Sequence, residues 1–263
     1  MVHLAHILIY PIKSLDGVAV NQATVLESGA LQGDREFAIV DYQGKFVNGK
    51  RTAAVHKIRS SFDLIARTVS LQAQETLQAA TFHLDTERIP LESWLSDYFG
   101  FPVKLIQNAE MGFPDDTDSP GPTIISTATL QALATWFPGL SLEDLRQRLR
   151  TNLEIAETDA FWEEQLYGLA GDIVPFHVGA VQLLGINPCQ RCVVPTRDPE
   201  TGQSYASFQK IFLAKRKETL PSWAAASRFN HFYRVAVNTR VPTSEVRKTL
   251  QMQDVVSLTA PQI

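Results

Sequence analysis

The sequence predicts a strand-rich α+β fold in two parts, the first of them β-barrel-like. Turn signals recur about every 8–12 residues through the N-terminal stretch, the spacing of a barrel or strongly curved sheet. A polar, Pro-rich segment at 108–122 divides the chain, giving domains of 1–115 and 120–263. Helical spacing of apolar residues is confined to a few short stretches.

Leu4 to Tyr10 reads as a strand stopped by Pro11, and Ala19 to Leu26 as a second strand after the turn Leu15-Asp16-Gly17. Gly29 to Gly33 makes another turn before a strand at Phe37 to Val40. Asp41-Tyr42-Gln43-Gly44 then closes a hairpin onto Lys45-Phe46-Val47. The first clear helix is Leu91 to Phe99, with Leu91, Trp94, Leu95 and Tyr98 on one face and Gly100 at the C-terminal cap. Beyond the linker, a strand ending near Ile125 leads into a helix from about Thr127 to Phe137, with Leu130, Leu133 and Trp136 inward. Ser141 caps a helix over Leu142 to Arg150 whose core face is Leu142, Leu145 and Leu149, leaving Arg146 and Arg148 on the solvated side. Short strands follow at Leu153 to Ile155 and Val178 to Leu184, then a helix at about Ser207 to Arg216 with Phe208, Ile211 and Phe212 inward. A strand at Phe232 to Val241 and the segment Val255 to Leu258 come last.

With 263 residues and 44% hydrophobic composition, the chain has material for a packed core and is not a disordered protein. A net charge of -4 from interspersed acids and bases gives no basic face for nucleic acid or anionic membrane. Any anionic ligand must be held by a few local Arg and Lys. The start Met1-Val2-His3-Leu4-Ala5-His6 lacks the pattern of a signal peptide, and no run approaches the ~18–20 apolar residues of a membrane span. The expectation is a cytoplasmic protein. Two cysteines are too few for a disulfide scaffold or a four-cysteine iron–sulfur cluster, and even a Rieske centre needs two Cys plus two His, so the expectation is a redox enzyme without a cluster of its own that takes its electrons from an external donor protein.

Those cysteines lie in Asn187-Pro188-Cys189-Gln190-Arg191-Cys192. Tetrahedral zinc needs two more ligands, and the candidates are single histidines, His177 and His231. A dithiol redox pair belongs at a strand-to-helix junction, whereas here Val193-Val194-Pro195 and a turn follow. Two small buried hydrophobes are a third reading. Arg191 and Arg197 nearby favour a thiolate over an inert thiol. Downstream, Thr196-Arg197-Asp198-Pro199-Glu200-Thr201-Gly202 is a tight turn, with Pro fixing one angle and Gly permitting another.

Pro188-Cys189-Gln190-Arg191-Cys192 with the turn at 196–202 resembles the signature of the MOSC domain, especially the branch containing the mitochondrial amidoxime-reducing component and its bacterial relatives. Ile9-Tyr10-Pro11-Ile12-Lys13-Ser14 and Leu31-Gln32-Gly33-Asp34-Arg35-Glu36-Phe37 resemble the N-terminal β-barrel domain that precedes MOSC there. Ile124 to Leu130 and Leu149-Arg150-Thr151-Asn152 also look like family segments, in the family's order. The resemblance implies a second β-barrel domain with peripheral helices, and the molybdenum cofactor (Mo-molybdopterin) bound through one protein cysteine, which maps onto Cys192. It implies reduction of small N-hydroxylated substrates, or, alternatively, a cofactor carrier or sulfur relay without turnover; pyridoxal phosphate is not expected.

On this resemblance Lys13, Arg35 and Arg150 hold the pterin phosphate, and Ser14 and Asn152 add neutral hydrogen bonds. Ser126 and Thr127 offer helix N-terminal amides, and the backbone of Gln190 and Arg191 lines the pterin. Asp198 orients the cysteine loop or supplies a proton. The stretch Ser204 to Phe232 matches weakly, which leaves the substrate side unassigned.

Overall fold

The computed structural model describes residues 1–76 and 78–258 and has the strand-rich α+β class that the turn spacing predicts. Its largest sheet draws on both halves of the chain. From the N-terminal half come β1 (His3–Ile9) and β2 (Val18–Val20). From beyond the linker come β9 (Ile124–Ser126), β10 (Leu153–Ala156), β11 (Val174–Val178), β12 (Val181–Gln190), β13 (Arg234–Arg240) and β15 (Val256–Leu258). The order is β15-β11-β12-β13-β9-β10-β1-β2.

Strands β9 and β10 are parallel, so their link needs a crossover, supplied by helices α2 (Thr127–Trp136) and α3 (Leu142–Leu149). The sheet curls until its ends nearly meet. Leu4 N–H donates to Asp254 O at 2.9 Å, Gln253 N–H to Leu4 O at 2.8 Å and Val256 N–H to Val2 O at 2.9 Å. Closure is through one isolated bridge, His3 with Val255, rather than a strand ladder. Among the described residues the expected barrel is therefore a strongly curved sheet without ladder closure. The bulge between Leu4 and His6 turns Leu4, Ile7 and Ile9 all toward the core despite their spacing.

A second layer pairs β4 (Phe37–Asp41) with β8 (Val103–Gln107). Beside it lies a meander of β5 (Ile58–Asp63), β6 (Thr68–Ala73) and β7 (Ala80–His83). Helix α1 (Arg88–Phe99) seals that core with Leu91 and Leu95 against Phe37, Ile39, Val69 and Leu105. The sequence reading has no counterpart for this meander. A two-stranded piece joins β3 (Gln22–Thr24) to β14 (Thr249–Gln251), and α4 (Phe208–Glu218) packs Phe208 and Phe212 on α2 and β13 as its spacing predicts.

The segment 108–122 is docked rather than free. Phe113 N–H donates to Arg35 O at 2.8 Å, and a Cβ on Gly112 would stand 2.3 Å from Asp34 O, an approach that only glycine permits. No helix among the described residues is long and apolar enough to cross a membrane.

Candidate functional site

A cavity of about 830 Å³ opens where β1, the segment 111–123, the end of α3 and the end of β12 converge. Eleven Lys and Arg side chains line it against five Asp and Glu, in a chain whose net charge is -4. Basic charge is thus gathered at one place, as an anionic ligand of an acidic protein requires. The lining includes Lys13, Ser14, Arg35, Arg150, Asn152, Gln190, Arg191 and Cys192.

Tyr10 organises one wall. Its backbone N–H donates to Asp34 Oδ1 at 2.9 Å and its hydroxyl to Thr151 O at 3.2 Å. The guanidinium groups of Arg150 and Arg35 lie 4.3 and 5.1 Å from its ring centroid. Burial, opposed by both arginines, pushes the Tyr10 hydroxyl up to about 12, so it stays protonated. Arg35 is ion-paired to Asp34 and donates to Arg150 O at 3.3 Å, while Arg150 donates to Leu15 O at 2.6 Å. Lys13 Nζ donates to Phe113 O at 2.8 Å and Asp115 Oδ1 at 2.6 Å, and Lys50 reaches the other Asp115 oxygen at 3.2 Å. Burial works to raise Asp115, but Lys13, Lys50 and Arg35 outweigh it and hold the carboxyl well below its usual range.

Ser14, Arg35 and Arg150 all adopt left-handed backbone, with φ of 75°, 51° and 54°. Such conformations cost about 1–2 kcal/mol in residues other than glycine and persist only where the surroundings impose them. Asn152 uses its side chain internally: Oδ1 accepts from Thr123 N–H at 3.2 Å and Nδ2 donates to Leu8 O at 3.1 Å.

The cysteine segment leaves the sheet through a bulge. Pro188 faces Val237 and Gln190 faces Arg234, so Cys189 stands against both Val235 and Ala236, and Ala236 takes a φ of 70°. Arg191 Nη1 contacts Cys189 Sγ at 3.2 Å, while Nη2 donates to Leu149 O, tying the pair to the end of α3. Arg148 holds the loop that follows. Only 3% exposed, it donates to the carbonyls of Pro195 and Arg197 and to Asp198 Oδ2 at 3.2 Å. The expectation of a solvated Arg148 is corrected: it follows Leu145 by three residues, on the edge of the buried stripe. Arg146 is also engaged, through Glu154 and Glu143.

Asp198 lies outside the cavity lining. Its Oδ1 accepts the N–H groups of Glu200 and Thr201 at 3.1 and 2.9 Å. Burial tends to raise its carboxyl, but these donors and Arg148 lower it, which keeps it ionised and fixes the turn. Ser126 and Thr127 also lie outside the lining: Ser126 caps α2 by accepting from Thr129 N–H at 3.0 Å, and Thr127 donates to Glu154 at 2.8 Å.

The cavity also holds groups that carried no signal in the sequence. His56 lines it with Nε2 buried and unpartnered, and burial lowers its pKa to about 4. The buried Nε atoms of Arg148, Arg191, Arg197 and Arg234 likewise have no partner among the described residues. Arg150, Arg191, Arg197, Arg228 and Arg234 line the cavity without pairing to any carboxylate among the described residues, whereas the other six cations are paired. No group of three or more His, Cys, Asp or Glu side chains converges on a metal position among the described residues. A metal at Cys192 would therefore need ligands from a bound cofactor.

Residues 1–103 match the family model of the MOSC N-terminal beta barrel domain. The chain is 25% identical over 265 residues to molybdenum cofactor sulfurase of Homo sapiens, an alignment covering 82% of this chain and 29% of that protein. It is 23% identical over 257 residues to molybdenum cofactor sulfurase of Bos taurus, with the same coverage of 82% and 29%. The chain thus spans less than a third of the length of these curated relatives.

Proposed function

From the premise that residues 1–103 carry a MOSC N-terminal beta barrel domain, we propose that the cavity binds the molybdenum cofactor and serves a reductase of N-hydroxylated compounds. The observation that carries this is the surplus of cations around one cavity with Cys192 in its wall. The orphaned Nε atoms of Arg191 and Arg197 are buried donors of the kind that a phosphate satisfies. A thiolate of Cys192 is a soft donor suited to the metal.

In this reading Lys13, Arg35 and Arg150 neutralise the phosphate, with Ser14 beside them, and the backbone of Gln190 and Arg191 borders the pterin. Ser126 and Thr127 cap α2, Asn152 braces β1, and Asp198 fixes the cysteine loop. When bound, the cofactor supplies a two-electron couple able to take oxygen from an N–O bond. Each turnover consumes two electrons and two protons and releases water, the electrons coming from an external donor protein. The protein holds the site rigid and orients the reactants.

Metal analysis and pterin fluorescence of the purified protein test the binding step. Stoichiometric molybdenum that Cys192→Ser loses and Cys189→Ser retains supports it; stoichiometric zinc without molybdenum overturns it. The names of the two sulfurases favour a second reading, a cofactor carrier or sulfur relay in the same cavity. Reduction of an aryl amidoxime with an artificial electron donor supports the reductase, and loaded protein without turnover supports the carrier.

A further inference from the structure

We infer that Arg228 and Arg234 form a separate anion-recognising subsite of the cavity, selecting N-hydroxylated substrates that also carry a carboxylate or phosphate. The inference rests on the reductase reading. Both side chains line the cavity, and neither meets a carboxylate among the described residues. Each is propped in place by neutral oxygens. Arg228 donates to Leu169 O at 2.8 Å and to Ile186 O at 3.2 Å. Arg234 donates to Pro188 O at 3.3 Å and to Asn230 Oδ1 at 3.0 Å, and its Nε is buried without a partner.

Carbonyls orient a guanidinium without cancelling its charge. The two charges also bear on each other: burial and then Arg228 lower the pKa of Arg234. An anion in the cavity beside these like charges relieves that repulsion. The pair shares no hydrogen-bond partner with the Lys13, Arg35 and Arg150 group, whose props are Phe113, Asp115, Asp34, Arg150 O, Asn152 and Leu15. Arg234 is anchored on Pro188, the residue before Cys189, so the second charge centre adjoins the cysteine segment. A carboxylate on the substrate and a phosphate of the cofactor have the same chemistry, and the experiment must separate them.

The test compares a neutral aryl amidoxime with its para-carboxylate on the loaded protein, in the parent, in Arg228→Gln and Arg234→Gln, and in the corresponding Lys variants. Equilibrium binding of both compounds is measured by calorimetry, and molybdenum and phosphate content by analysis. The expected result is a loss on the order of 10- to 100-fold in affinity and kcat/KM for the carboxylate alone. The neutral compound and the cofactor content stay unchanged, and the Lys variants recover part of the preference. Equal losses for both compounds, loss of cofactor phosphate in the Gln variants, or an unchanged preference each overturn the subsite. If the parent reduces neither compound, the reductase reading fails by itself, and carboxylate-selective binding lost in the Gln variants still supports the subsite.

Discussion

Replacing Arg148 with Met tests whether α3 holds the cysteine loop. The guanidinium makes three contacts in a nearly dry setting, to Pro195 O, Arg197 O and Asp198 Oδ2. Hydrogen bonds from a charged donor are worth about 1.5–3 kcal/mol each when buried. The Asp198 side chain is 34% exposed, so its share falls toward the surface value of about 1 kcal/mol or less. The two carbonyls lose their donor outright, at about 1–2 kcal/mol each, while Met keeps most of the packing volume. The sum is about 3 kcal/mol, which lowers Tm by roughly 6–12 °C for a chain of this size. Urea unfolding followed by tryptophan fluorescence measures it, and Asp198→Asn should cost only about 1 kcal/mol. Because the loop begins at Cys192, the proposed binding of the molybdenum cofactor there predicts that molybdenum content falls in Arg148→Met as well. A variant within about 0.5 kcal/mol of the parent would refute a clamp.

Three further outcomes follow from buried groups. Burial holds His56 neutral, with its pKa at about 4 against 6.5, so its contribution to stability is whole above pH 6.5 and is lost as pH falls through 4. Urea midpoints of His56→Gln should therefore decline less across that window than those of the parent. Arg216, fully buried, pairs with Glu164, whose carboxyl burial pushes up to about 7 despite the arginine. Arg216→Met should cost about 3–5 kcal/mol. Arg216 lowers the Glu164 carboxyl that burial raises, so without it Glu164 rises further and its ionisation weighs more on the folded state as pH climbs; this deficit should grow from pH 5 to 8 and be largely relieved in Arg216→Met with Glu164→Gln. Gly185→Ala should prevent correct folding, seen as lost near-UV dichroism, because its Cβ would stand 1.6 Å from Leu166 O.

Much of this was legible from periodicity. Leu130, Leu133, Leu145 and Leu149 are buried where a 3.6-residue repeat puts them, and Ser141 and Gly100 cap the helices they were expected to cap. The meander 58–83 has one strand with a sequence signal: Thr68-Val69-Ser70-Leu71-Gln72-Ala73 alternates polar and apolar residues, and the apolar ones are buried. At the site, Lys13, Arg35, Arg150, Arg191 and Cys192 share one cavity, and family resemblance rather than local pattern is what points to them. Their partners were not legible, because Asp115 falls in a segment that reads as a linker and Tyr10 at the end of a strand. Arg228 and Arg234 lack any signal for a different reason: what marks them is that neither is ion-paired to a carboxylate among the described residues, which a linear sequence does not express.

The left-handed backbone at Ser14, Arg35 and Arg150 sets stability against the make-up of the cavity wall. Glycine at any of these places would relieve conformational energy of about 1 kcal/mol, offset in part by its greater unfolded-state entropy and the lost side-chain contacts. A library of variants screened on melting temperature alone would thus be drawn toward glycine or asparagine at three positions of the cavity wall, two of them arginines that give it charge. Thermal selection of this protein needs a ligand-retention screen beside it, or it will enrich sturdy folds with a disarmed cavity.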